Sequence, residues 1–269
     1  MLSINTNIMA QNAARNVSSS YDALATSVER LSSGLKINSA KDDAAGLAVR
    51  ELMRADIAMV EQGISNAQDG VSMLQTMEGA MQTIDDSLVR MKQLAEQAAT
   101  GSYSSAQRAI MDSEFDEMAD EIERVAGATE FNGIKMLDNS ASVSIHFGDA
   151  TDFIAVEGSD CSKSGLGISA SNIDSAADAK TALATLDTAI ATKDTARAKF
   201  GYKMNRLEST IAVLNTQSEN MQTAESRISD VDVATEMAEM TRTQVLAQAG
   251  ISMLTQANSM PQMALSLLR

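Results

Sequence analysis

The residue types that ordinarily carry catalysis or metal binding are thinly spread along this chain. Asp230 and Asp232 stand two apart, a spacing at which carboxylates sometimes chelate a cation. A calcium loop would add further oxygen ligands and a glycine at fixed spacing. The segment lacks both, so initiation of a helix before Val233 is the better reading. Asp85-Asp86 reads as an exposed helix face between Ile84 and Leu88. His146 is the one histidine and has no second ligand beside it. Cys161 is the one cysteine; it lies between Asp160 and Ser162, with Lys163 the nearest group able to favour a thiolate. Nowhere do a nucleophile, a base and a binding loop come together. No catalytic residue, cofactor site or metal site is assigned, and an enzyme is the remotest reading.

Composition narrows the field further. Asp plus Glu number 36 against 21 Lys plus Arg, a formal net charge of −15 over 269 residues. Phosphate binding needs a basic face, so no nucleic-acid partner is expected. Aromatics are 3%, Trp is absent and Met reaches 18, unlike the ring-rich core of an ordinary enzyme. The one proline, Pro261, leaves long helices uninterrupted. Met1 to Asn12 lack the basic and apolar regions of a Sec signal peptide. No stretch reaches the roughly 20 apolar residues that span a bilayer, so no membrane partner is expected.

Periodicity dictates the elements. Ile57, Val60, Ile64, Ala67, Val71 and Leu74 alternate spacings of three and four. After one three-three step at Met77 the pattern resumes with Met81, Ile84, Leu88, Met91, Ala95 and Ala98. This predicts a heptad seam with one stammer from about Leu47 to Ala99, roughly 80 Å of helix. Thr100 to Ser105 is a polar reversal with Ser104 or Ser105 as N-cap. Met111, Phe115, Met118, Ile122 and Val125 form a shorter seam. A third runs from Ala179 to Ile228, with Lys193, Arg197, Ser218 and Glu225 at seam positions that restrict register.

The ends are also helical by pattern, with Val17, Tyr21, Leu24, Val28, Leu31 and Leu35 near the start. Val233, Met237, Met240, Ala247, Ile251 and Leu254 line a face near the finish, followed by Leu265 and Leu268. Termini are usually polar and frayed, so these apolar stripes need a partner. Only about 139–171 changes character: Ser142–Gly148 and Asp152–Gly158 alternate with period two and read as a β-hairpin over Gly148-Asp149-Ala150. Asn132-Gly133 marks another turn. The expected fold is mainly α, a long antiparallel helical bundle or coiled coil with paired N- and C-termini and a small β-hairpin region.

Several runs resemble bacterial flagellin. Arg30-Leu31-Ser32-Ser33-Gly34-Leu35-Lys36-Ile37-Asn38-Ser39-Ala40-Lys41-Asp42-Asp43-Ala44-Ala45-Gly46 is similar to that family's N-terminal signature, and Glu130 to Leu137 to its second hallmark. Glu225 to Asp232, Glu236 to Thr241, Gln248-Ala249-Gly250 and Leu265 to Arg269 match the return leg. The resemblance covers roughly 1–138 and 172–269, and the short middle makes this look like a form with core domains alone.

The resemblance implies a structural subunit of the flagellar filament, polymerising head to tail into an open helix. A low-copy hook–filament junction protein is the alternative, and a cytoplasmic coiled-coil scaffold a more distant one. It implies an inner coiled-coil domain of 1–46 plus 229–269 and an outer bundle of 47–228, with a β region at about 130–168. Assembly would use Val17, Tyr21, Leu24, Val28, Leu31, Val233, Met237, Met240, Ile251, Leu254, Leu265 and Leu268. Lys41, Asp42 and Asp43 would form a connecting segment; from the residues alone, a solvated helix start explains that triplet equally well. The implied partners are further copies, an export chaperone, the type III export apparatus, and the filament cap and hook-junction proteins. The implied location is the extracellular filament, reached without a Sec signal. Arg90, Leu94, Gln97 and Glu114 match a patch read by the vertebrate innate flagellin receptor, while Val89, Gln93 and Glu96 differ from its commonest pattern.

Overall fold

The computed structural model describes residues 6–139, 141–149 and 151–266. In chain order these form α1 (Ile8–Ser33), α2 (Ala44–Ala99), α3 (Ser105–Ala128), β1 (Glu130–Phe131), β2 (Ile134–Lys135), β3 (Ser142–His146), β4 (Phe153–Glu157), α4 (Ala176–Ser229) and α5 (Val233–Ser266). The fold is mainly α with two small antiparallel hairpins, as the periodicities require. The chain divides into two compact units, Met1–Ile57 with Asn220–Arg269 and Ala58–Glu219. Both divisions fall inside helices, α2 and α4. None of the helices is long and apolar enough to cross a membrane among the described residues.

In the unit Ala58–Glu219 the heptad seam of α2 becomes the core. Leu74, Met77, Met81, Ile84, Leu88 and Met91 are buried against Phe115 and Ile122 of α3 and against Leu186, Phe200 and Leu207 of α4. Met73, Ser87 and Leu94 are buried as well, although they lie outside the seam. α2 therefore packs on two sides, and its apolar stripe is wider than a two-helix seam. Ser104 caps α3 through a capping box with Gln107. Arg108 closes the reversal by donating to the Ala98 carbonyl at 2.8 Å and the Thr100 carbonyl at 3.0 Å.

The antiparallel register of α2 and α4 is marked by three ion pairs: Glu78 with Arg197 at 3.2 Å, Asp85 with Lys193, and Lys92 with Asp187. Glu78, Asp85 and Lys92 recur every seven residues, so a slip of one turn would separate each from its partner. This corrects the expectation for Asp85-Asp86. Asp85 is half-buried and serves Lys193, which is 1% exposed and also pairs with Asp194 at 2.7 Å. A seam ammonium cannot stay unpaired, and Asp85 is the α2 carboxylate within its reach. Asp86 is exposed.

β1 and β2 pair across Asn132-Gly133, whose φ values of 51° and 77° suit a two-residue turn of the primed type. β3 and β4 pair from Ser142↔Glu157 to His146↔Phe153. Their inward residues Ile145, Ile154 and Val156 are buried, and the hairpin lies against α2. A Cβ at Gly63 or Gly70 would come within 2.3 Å of the Phe147 carbonyl or of Ile145 Cδ1. Those two glycines, one heptad apart, admit the hairpin. His146 is exposed, its ring 5.2 Å from that of Phe153. Cys161 is fully buried, and burial pushes its thiol up to about 11, out of range of thiolate chemistry.

Candidate functional site

The unit formed by the two ends of the chain carries the surface of interest. α1 and α5 run antiparallel, in a register set by three contacts. Asn7 Nδ2 donates to the Ala257 carbonyl at 2.7 Å; a Cβ at Gly250 would lie 2.7 Å from Val17 Cγ2; Arg30 pairs with Glu236 at 3.7 Å. Burial alternates by three and four through Ala10, Ala13, Val17, Ser20, Leu24, Ser27 and Leu31 on α1. On α5 it follows Glu236, Met240, Thr243, Ala247, Gly250, Leu254 and Ala257. Small residues fill many of these positions, so the two backbones come close.

The stripe expected from apolar residues alone is displaced at alternate positions. Val17, Leu24, Leu31, Met240 and Leu254 belong to the seam, whereas Tyr21, Val28, Val233, Met237 and Ile251 remain exposed. Ser20, Ser27, Thr243 and Gly250 hold positions that a large-residue template passes over. Tyr21, Val28 and Ile251 each stand one residue further on, turned about 100° around the helix toward solvent. Leu265 is described only as backbone of α5, and Leu268 lies outside the described residues. Ile8, Met9, Val245, Leu246, Met253 and Met260 are exposed too. Scattered apolar surface residues are ordinary, but this many large ones on two paired helices is not.

Charge is distributed to match. Residues 58–219 carry 12 basic and 25 acidic groups, net −13, while the other segments carry 9 and 11, net −2. Copies of the paired-end unit can therefore pack with little mutual repulsion.

The connecting segment is tied down locally. Leu35 bridges Asp230, with Lys36 N–H donating to the Ser229 carbonyl at 2.6 Å and Val231 N–H to the Gly34 carbonyl at 3.1 Å. Arg50, nearly buried, donates to the Ile37 carbonyl at 2.7 Å. Asp42 accepts from the Ser39 amide at 3.0 Å, its hydroxyl at 3.1 Å and the Asn38 amide at 3.2 Å. The Ser39 amide and hydroxyl, with help from Asn38 and Arg30, hold its carboxyl below the ordinary value. Asp43 caps α2 by accepting from Ala45 and Gly46 amides at 3.0 and 2.9 Å. Lys41, Asp42 and Asp43 are all exposed, and the two carboxylates are engaged by local amides.

Asp232 starts α5. It accepts from the Thr235 hydroxyl at 2.8 Å and the Ala234 amide at 3.0 Å, and these bonds, that of Thr235 foremost, hold its carboxyl low. Asp230 instead accepts from Ser226 Oγ at 2.6 Å. Both carboxylates of the candidate pair thus have local hydrogen-bond partners, and that of Asp232 caps the first turn of α5.

Residues 4–142 match the bacterial flagellin N-terminal helical region, and residues 183–268 match the bacterial flagellin C-terminal helical region. The chain belongs to the bacterial flagellin family.

It is 41% identical over 270 residues to a flagellin of Halalkalibacterium halodurans, covering 99% of both chains. It is 39% identical to a flagellin of Bacillus subtilis over 303 residues, again covering 99% of each. Bacillus cereus flagellin superposes with a TM-score of 0.52 at 33% identity, over 60% of this chain and 94% of that one. A member of this family spanning its relatives end to end is a structural subunit of the flagellar filament, the propeller outside the cell that drives swimming. The filament subunit, and not the junction protein, is the reading these full-length flagellins support.

The residues matched to the innate-receptor patch are only partly at the surface of this flagellin. Arg90 Nε and Nη2 donate to Glu114 Oε1 at 2.8 and 2.6 Å, and Gln97 is exposed. Leu94, at 1% exposure, belongs to the core. Residue types dictate the helices, whereas the small-residue seam of α1 and α5 is silent in the sequence because serine, threonine and glycine carry no hydrophobic signal.

Proposed function

We propose that filament subunits join through the outward apolar stripe of α1 and α5, formed by Tyr21, Val28, Val233, Met237 and Ile251. Val17, Leu24, Leu31, Met240 and Leu254 serve assembly indirectly, by pairing the two helices that present it. Leu265 and Leu268 are assigned to assembly with them. The observation that carries this reading is that an occupied seam leaves a second set of large apolar residues in water. Such a face is stabilised by covering it, and copies of one chain in head-to-tail contact supply the cover without limit.

In the filament, 1–46 plus 229–269 then form the inner layer around the central channel, and 47–228 form the outer bundle. Lys41 reaches toward the neighbouring subunit, while Asp42 and Asp43 shape the segment that presents it. Before assembly the apolar stripe needs shielding, which is the role of the family's export chaperone. Export without a Sec signal through the flagellar type III apparatus, and addition between hook-junction proteins and cap, complete the path. A chain with one cysteine and one proline suits threading through a narrow channel. A vertebrate flagellin receptor would meet Arg90, Gln97 and Glu114 on the outer helices, but not the side chain of Leu94.

The test is the pair Val28→Glu and Ile251→Glu. Both positions are exposed in the subunit, so its unfolding should shift by no more than about 0.5 kcal/mol. Seeded polymerisation should need at least ten-fold more protein, because each change would bury a charge against apolar neighbours. Filaments forming at the unmodified critical concentration would overturn the reading. Removing about the last 30 residues should leave the unit Ala58–Glu219 folded and abolish polymerisation.

A further inference from the structure

Gly158, the residue after β4, stands against main-chain oxygens from between β2 and β3. A Cβ there would lie 2.8 Å from the Asn139 carbonyl oxygen and 2.9 Å from those of Ala141 and Met136. No two of these oxygens are farther apart than about 6 Å, close to the span of the oxygen shell around one calcium ion. Ala141 accepts the Gly158 N–H at 2.7 Å and Met136 the Ser159 N–H at 2.8 Å. A carbonyl has two lone pairs, so each of the two keeps one. Asp138 lies between the same residues in sequence. Its Oδ2 is 4.0 Å from Lys135 Nζ, whereas its Oδ1 is buried with no hydrogen-bond donor among the described residues. A carboxylate oxygen removed from water without a donor is costly, and carbonyls beside it supply none. A cation satisfies both.

We propose that the carbonyl oxygens of Met136, Asn139 and Ala141 and the carboxylate of Asp138 form a calcium site, with water completing the shell. Among the described residues no group of three histidine, cysteine or acidic side chains could hold a metal ion. The soft and borderline ligands that transition metals prefer are therefore missing. Carbonyls with one carboxylate suit calcium, which accepts an irregular shell of oxygens; magnesium demands a near-octahedral one and keeps its waters. A single carboxylate gives a weak site, with a dissociation constant of roughly 0.1–1 mM, the range of extracellular calcium modules. That range suits a filament outside the cell. The ion would tie the residues flanking β3 and β4 to Met136, which is fully buried like its neighbour Leu137. Calcium thereby braces the β region against the core of the unit Ala58–Glu219. Gly158 is required because any side chain would occupy the space that the three oxygens face.

The experiment titrates calcium chloride into unpolymerised full-length subunits, first stripped of divalent ions, and follows binding by isothermal titration calorimetry. One equivalent should bind in the range of roughly 0.1–1 mM, and magnesium should bind more weakly. Calcium at about 10 mM should shift the urea-unfolding equilibrium about 10- to 100-fold toward the folded state. Asp138→Asn keeps the size and shape of the side chain and should weaken binding at least about ten-fold, since it removes the one carboxylate. Asp86→Asn removes an equal charge from an exposed helix face and should leave binding unchanged, which separates a built site from diffuse attraction to an acidic surface. Lys135→Met should tighten binding, because the lysine competes with calcium for Asp138. Gly158→Ala should abolish binding; if that chain does not fold, Asp138→Asn decides alone. The proposal is overturned by the absence of saturable binding up to about 10 mM calcium, by equal binding to the Asp138→Asn and unmodified chains, or by a preference for magnesium. None of these readouts uses polymerisation, so the assembly reading stands or falls separately.

Discussion

Replacing Gly250 by alanine sets two opposed effects against each other. Gly250 lies in the middle of α5, where alanine is favoured over glycine by about 1 kcal/mol of helix propensity. Against that, the added methyl would sit 2.7 Å from Val17 Cγ2, about 1 Å inside ordinary carbon–carbon contact. Val17 is β-branched and held near one rotamer in a helix, so the strain falls on the spacing of α1 and α5. Overpacking of this kind costs about 1–3 kcal/mol. The net expectation is a loss of up to about 2 kcal/mol. The decisive control is Val17→Ala, which removes the obstructing methyl. In that background Gly250→Ala should instead stabilise by about 1 kcal/mol, so the effect changes sign. Chemical unfolding of unpolymerised subunits, followed by far-ultraviolet circular dichroism, measures all four proteins, and the cycle isolates the contact. If Gly250→Ala stabilises equally in both backgrounds, α1 and α5 do not approach at Val17 and the small-residue seam is wrong.

Lys193→Met should destabilise the subunit by about 2–3 kcal/mol in urea unfolding, somewhat below a fully buried pair because Asp85 keeps partial access to water. Adding Asp85→Leu should recover most of that loss, and failure to recover would deny the pairing its role. Burial alone would lower the Lys193 ammonium, but hydrogen bonds to Asp194 and Asp85 outweigh it and raise the value above the ordinary one. The stabilisation is therefore complete at neutral pH and is lost as pH rises from the ordinary lysine range through the raised value. Asp232 behaves in the opposite sense. Its lowered carboxyl supports α5 above the ordinary aspartate range, and that support is lost as pH falls through its native value. Asp232→Ala should flatten this part of the acid-unfolding curve measured by circular dichroism.

Much of this architecture follows from counting along the chain. The three–four rhythm from Ile57 to Ala98 determines a helix with a continuous apolar side, because only that geometry gathers Leu74, Met81, Leu88 and Ala95 together. Ser104 before α3 and Asn132-Gly133 between β1 and β2 declare themselves through local backbone needs that few other residues meet. Those features depend on neighbours within a few residues, which the sequence contains in full. The choice between Tyr21 and Ser20, or between Ile251 and Gly250, belongs to the folded pair. Either member of each couple satisfies the helical period, and the outcome depends on how closely α5 can approach α1. Likewise Leu94 and Asp85 read as flanking positions until α3 and α4 cover α2 on two sides. One chain segment can specify its own twist and stripe, but which side of that stripe stays wet is set by the distance to a partner remote in sequence.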